Sequence, residues 1–202
     1  QVKNVEDSTQ IKDSYEKYVG QDINNFPSYI EDSISPAYSV DDGRGNLVDL
    51  KTFFNSIDAK LNSKLIDMIG TNYYGFFYCP SEKGEKDFGV TFELENGDPQ
   101  KLESVNSQAK DALLQWEPYM LKDLHNVLFP EKNFSEEQIS QPLVFKEGEF
   151  RYAEVDLPGG EKSSINYVVD IYPPDHPSSI NSVYITTSKD CLQKSLISLF
   201  DF

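Results

Sequence analysis

The segment Tyr73-Tyr74-Gly75-Phe76-Phe77-Tyr78-Cys79 constrains this chain more than any other stretch. Side chains alternate faces along a strand, so Tyr74, Phe76 and Tyr78 oppose Tyr73, Phe77 and Cys79. A strand that is bulky and apolar on both sides is expected to be covered on both sides, or to hold its tyrosines out to a partner. After a polar, glycine-containing connection the chain alternates more simply, with Phe88, Val90, Phe92 and Leu94 against Gly89, Thr91, Glu93 and Glu95. The two stretches read as a β-hairpin, and Asn96-Gly97-Asp98-Pro99 reads as the turn that follows.

Helical periodicity flanks the hairpin. Leu47, Leu50, Phe54, Ile57, Leu61, Leu65 and Met68 step by three and four residues and predict one long helix over 47–69. A second long pattern, Lys101 to Phe129, carries the stripes Val105, Ala109, Ala112, Leu113, Trp116 and then Leu121, Leu124, Leu128. Pro118 interrupts it, so a kink or two abutting helices are expected there. Near the start, Asp7 or Ser8 caps a short helix bearing Ile11, Tyr15 and Tyr18. Ser135-Glu136-Glu137-Gln138 reads as one more capped turn.

The last third is strand-rich: Phe150 to Leu157, Ile165 to Tyr172 and Ser182 to Thr187. Ser188 then caps a closing helix with Leu192, Leu196 and Leu199 on its apolar face. The order predicts a single α+β domain over residues 1–202, with 1–45 a less regular N-terminal helical segment. Its mainly antiparallel sheet of about five to six strands is expected to pack against two long helices and a C-terminal helix. The two cysteines, Cys79 and Cys191, form no C-x-x-C pair. They are read either as two half-buried thiols or as one long-range disulfide.

Charge excludes some functions. With 34 acidic residues against 18 basic and a net charge of −16, the chain lacks the basic face that nucleic acid requires. No apolar run approaches the length of a membrane span. Arginine, the preferred bidentate partner of anions, occurs only at 44 and 151.

Motifs exclude more. The segment Asp41-Asp42-Gly43-Arg44-Gly45 superficially resembles a calcium loop, but fixing Gly45 at the loop's glycine position puts Val40, Arg44 and Lys51 where oxygen ligands are required. It reads instead as a polar turn. Nucleophile elbows, phosphate-binding glycine loops and zinc spacings are missing. No metal and no cofactor are expected. Histidine occurs only at 125 and 176, the latter beside Asp175 in a proline-rich loop.

Carboxylates are the remaining chemical material. Phe150, Tyr152, Glu154 and Asp156 would share one strand face, with Asp170 on the next strand near Asn166. A hydrolase using paired carboxylates among Glu154, Asp156 and Asp170 is therefore one alternative, and a structural or adhesive module of an envelope protein is another. The main expectation is a non-enzymatic acidic binding protein whose field steers a basic protein toward aromatic anchors. In composition, though in no motif, it is similar to bacterial immunity proteins and other inhibitors of toxins or nucleases. The expected contact surface comprises Asp41 and Asp42 with the loop 173–177, including Asp175 and His176, and Tyr38 and Tyr172 as anchors. The start at Gln1 is read either as a trimmed piece of a longer chain or, the reading slightly favoured, as a processed and exported chain, periplasmic or extracellular.

Overall fold

The two-faced aromatic strand sits at one side of a five-stranded antiparallel sheet. In the computed structural model, which describes residues 8–19, 48, 50–80, 86–94, 101–172 and 180–197, strand β1 spans Ile69–Pro80 and pairs with β2, Lys86–Leu94. Strands β3 (Arg151–Asp156), β4 (Lys162–Tyr172) and β5 (Ile180–Thr186) complete it in the order β1-β2-β5-β4-β3. The α+β architecture expected from the sequence is the one observed.

Both faces of β1 are covered at Phe76, Phe77 and Cys79, the first of the two readings its composition allowed. Phe76 joins the main core with Phe92, Val90, Val183 and Ile185, while Phe77 and Cys79 belong to a second cluster with Tyr184, Cys191 and Leu192. Gly89 explains how the second face packs so closely. It pairs across the ladder with Phe77, whose ring occupies the place a Cβ would take, so any larger residue there displaces the ring.

The main face carries most of the helices: α1 (Ser8–Val19), α2 (Leu50–Ser56), α3 (Ser63–Ile66), α4 (Leu102–Trp116) and α5 (Met120–Leu128). Tyr15 of α1 packs edge-on against Phe53 and Phe76, with ring centroids 5.6 and 5.4 Å away. Its hydroxyl donates to the Val127 carbonyl at 2.7 Å, so a buried phenol is satisfied while it ties α1 to α5. Pro118 lies in the 3-10 turn Glu117–Tyr119 that joins α4 to α5. The Trp116 indole donates to Asp123 Oδ2 at 2.8 Å across this break. The short helix α6, Glu136–Ser140, starts with the expected capping box of Ser135 and Gln138.

One expectation is corrected. Residues 47–69 do not form a single long helix, so the sheet packs against one long broken helix, Leu102–Leu128, and two short ones. Asp58 takes a left-handed conformation at φ 54°. The Asp58 N–H reaches Asn55 O at 3.3 Å and the Ala59 N–H reaches Phe54 O at 2.9 Å, the paired bonds that end a helix at a left-handed residue. Asn62 then starts α3, its side chain accepting from the N–H groups of Lys64 and Leu65 at 2.9 and 3.4 Å. The apolar stripe survives the break, with Phe54, Ile57 and Leu65 all buried.

On the opposite face lies α7, Lys189–Ile197. Ser188 caps it as expected, its hydroxyl accepting from the Cys191 N–H at 3.0 Å. Cys79 and Cys191 form a disulfide, so of the two readings left open the long-range bond is the one found. No helix among the described residues is long and apolar enough to cross a membrane.

Candidate functional site

The outer face of the sheet divides into two regions of different character. The α7 cluster fixes which residues face outward. Because Tyr184 lies under α7, its ladder partners Thr91 and Val168 share that face, and so do Glu93, Ser182 and Asp170 two positions further along. Glu93 pairs with Ser182 and Ser182 with Asp170, so the two carboxyl-bearing residues flank a serine in one row across β2, β5 and β4. Two strand spacings separate their Cα atoms by about 10 Å.

Electrostatics mark this row. Burial pushes the Glu93 carboxyl above its ordinary range. Burial, helped by the charges of Asp170 and Glu93, pushes the Tyr184 phenol up to about 12, against hydrogen bonds with Ser182 and Thr91 that favour the phenolate. A half-buried carboxylate disfavoured in this way gains if a cation approaches it. It also lowers stability above its own pKa, because the folded state holds the proton more tightly than the unfolded chain does. Glu93→Gln is therefore expected to raise Tm by about 1–3 °C at pH 7, with the gain fading as the pH falls through the raised pKa and gone below about 4.5, the carboxyl's ordinary value. Thermal melts at pH 7 and pH 4 check this, and an equal gain at both would remove the charge explanation.

At the other region, around β3, Glu154, Glu149 and Asp156 each have a lysine partner. Lys146 contacts Glu154 at 2.9 Å, Lys189 contacts Glu149 at 2.8 Å and Lys162 approaches Asp156 at 3.9 Å. The Glu154 carboxyl is held below its ordinary range by the hydrogen bond and charge of Lys146, and Glu149 by the hydrogen bonds of Lys189 and Gln193. Here the outer face forms an open groove of about 410 Å³, lined by Glu149, Tyr152, Glu154, Ser164, Asn166 and Lys189. The edge is drawn in by Lys146, whose backbone exchanges both hydrogen bonds with Tyr152 at 2.7 and 3.2 Å.

The residues singled out from the sequence fall as follows. Tyr38, Asp41, Asp42, Asp175 and His176 lie outside the described residues. Tyr172 is the last residue of β4, opposite Ile180 of β5. Glu154 and Asp156 do share the exposed face of β3. Asp170 does not join them: Glu154 pairs with Ser164, and Asp170 lies six residues further along β4, about 20 Å away. The three carboxylates do not converge on one cleft. Glu93 was missed as a partner for Asp170, because only the strand order places β2 and β4 on either side of β5.

No family model, curated protein or solved structure matches the chain. The protein's chemistry must be argued from its own side chains. Among the described residues no group of three His, Cys, Asp or Glu side chains is placed to hold a metal ion.

Proposed function

We propose that the protein is a non-enzymatic acidic binding protein, an inhibitor or immunity-type partner of a basic protein such as a toxin or nuclease. The observation that carries this reading is the row Glu93–Ser182–Asp170 on the outer sheet face, where burial already makes the Glu93 carboxylate favour an incoming cation. The chain that continues from β2 and from β4 adds Glu95, Asp98 and Asp175 to the same sequence neighbourhood. Segment 20–47 adds Asp22, Glu31, Asp32, Asp41 and Asp42 against a single Arg44. At the β3 end, by contrast, lysines already neutralise the acids. A basic partner steered by this field would place a lysine or arginine at Glu93, with Tyr38 and Tyr172 as aromatic anchors. The buried cystine suits an oxidising compartment, in keeping with an exported protein.

The test is a pull-down at low salt, followed by affinity measurements on the purified partner. Affinity is expected to fall steeply with salt, and Glu93→Lys, Asp170→Lys, Asp42→Lys and Asp175→Lys are each expected to weaken it about tenfold at low ionic strength. Binding should also release protons near the raised pKa of Glu93, and it should tighten as the pH rises through that value. Salt-independent binding, or affinity unchanged in all four variants, overturns the reading.

A further inference from the structure

We propose that the groove at the β3 end of the outer face is a binding site for a neutral saccharide, distinct from the acidic row and independent of it. The groove's charges select against ions. An anion entering it meets Glu149 and Glu154, and a cation meets Lys189 and, beside Glu154, Lys146. Because each carboxylate already holds an ammonium at 2.8–2.9 Å, the groove offers donors and acceptors side by side with little net field. That pattern suits vicinal hydroxyl groups, each of which both donates and accepts.

Two further features narrow the ligand class. Asn166 is buried, with 2% of its surface exposed, and its amide is fixed by donating to Ser164 Oγ at 2.7 Å. Ser164 is fixed in turn, donating to the Thr187 carbonyl at 3.3 Å. A held planar amide at the groove can discriminate hydroxyl positions. Phe150 and Tyr152 supply apolar surface for the C–H faces of a sugar ring, in a volume within the range of small-ligand sites. The groove is open, so the ligand stays partly in solvent and millimolar affinity is expected.

The experiment is a ¹⁵N NMR titration of the whole protein with maltotriose, cellotriose and tri-N-acetylchitotriose, each to about 10 mM. Sodium phosphate and spermidine at the same concentration serve as ionic controls. At least one saccharide is expected to shift the Asn166 side-chain amide and the Gly148 backbone amide in a saturable way. Asn166→Ala is expected to weaken that binding about tenfold. Gly148→Leu is the second variant, because Asn166 is buried and its loss can disturb the sheet. Gly148 is exposed, and a Cβ there would sit 3.4 Å from the Phe150 carbonyl and 3.5 Å from the Tyr152 ring, at the groove and outside the core. It should abolish the shifts while leaving the rest of the spectrum in place. The proposal is overturned if none of the three saccharides moves these resonances, if phosphate or spermidine moves them equally, or if Gly148→Leu binds like the parent. None of these outcomes bears on the acidic row, which is read by salt-dependent partner affinity.

Discussion

Opening the Cys79–Cys191 disulfide is expected to destabilise the protein by about 3–5 kcal/mol, and to release α7 from the sheet. The two cysteines are 112 residues apart in sequence, so the bond closes a loop of more than half the chain. In the chain-entropy account, a loop of this length lies near the upper end of what one cross-link contributes. The structural side points the same way. α7 has only nine residues, too few to be helical alone in water. What holds it is the small cluster of Phe77, Cys79, Tyr184, Cys191 and Leu192, against which Phe150, Val168 and Leu196 pack. The double substitution Cys79→Ser and Cys191→Ser removes the link and leaves two hydroxyls in an apolar setting where both cysteines are fully buried. Urea titrations with and without dithiothreitol measure the loss. A second readout is specific to α7: the Tyr184 phenol, pushed up to about 12 chiefly by burial, should titrate closer to its ordinary 10.0 once the helix leaves. An unchanged urea midpoint, with both thiols shown to be free, would remove the argument.

Most of the fold was legible wherever a local pattern had one structural solution. The alternation at Phe88–Leu94, the interruption at Pro118 and the caps at Ser135 and Ser188 each gave the element that was expected. The two-faced aromatic strand allowed a layer on each side of the sheet or tyrosines held out to a partner, and both layers are present. Residues 47–69 show where pattern misleads. An apolar stripe at helical spacing reports which side chains face the core, and Phe54, Ile57 and Leu65 do. It does not report whether the backbone between them is continuous. The signal for the break was Asp58 followed by Asn62, two residue types that favour left-handed and capping conformations over helix interiors. The site was less legible for a different reason. The row that holds Glu93 and Asp170 depends on β5 inserting between β2 and β4, and strand order is a long-range property that no local spacing encodes. Likewise the lysines that neutralise Glu149 and Glu154 come from elsewhere: Lys189 from the helix after β5, and Lys146 from the segment preceding β3. Counting acids gives the charge of the chain. Only their placement separates a row that favours a cation from a groove with little net field.

Replacing Glu117 with leucine is expected to cost about 2–4 kcal/mol. Glu117 lies in the 3-10 turn between α4 and α5 and is almost fully buried. Arg151, at the start of β3, grips it in two bonds, Nε to Oε1 at 2.8 Å and Nη2 to Oε2 at 2.7 Å, and the Tyr167 hydroxyl of β4 donates to Oε1 at 2.7 Å. Although burial disfavours the guanidinium's charge, the hydrogen bonds and charge of Glu117 outweigh it and hold Arg151 above its ordinary value. Removing the carboxylate strands both partners. Arg151 keeps some relief, since its side chain is 26% exposed and Glu147 lies 3.5 Å away, which places the cost below that of a fully buried pair. Glu117→Gln keeps the shape and one acceptor, and should cost about half as much. It should also bring the Tyr167 phenol down, since burial and the Glu117 carboxylate together hold it up. The triple variant Glu117→Leu, Arg151→Met, Tyr167→Phe removes every stranded group at once. It is expected to recover to within about 1 kcal/mol of the parent, because a well-packed apolar cluster commonly matches a buried ion pair in stability. Denaturant melts of the three variants order the outcomes: leucine worst, glutamine intermediate, triple best. If the single leucine variant proves as stable as the triple, the ion pair does not anchor β3 to the helix break, and packing alone holds that edge of the sheet.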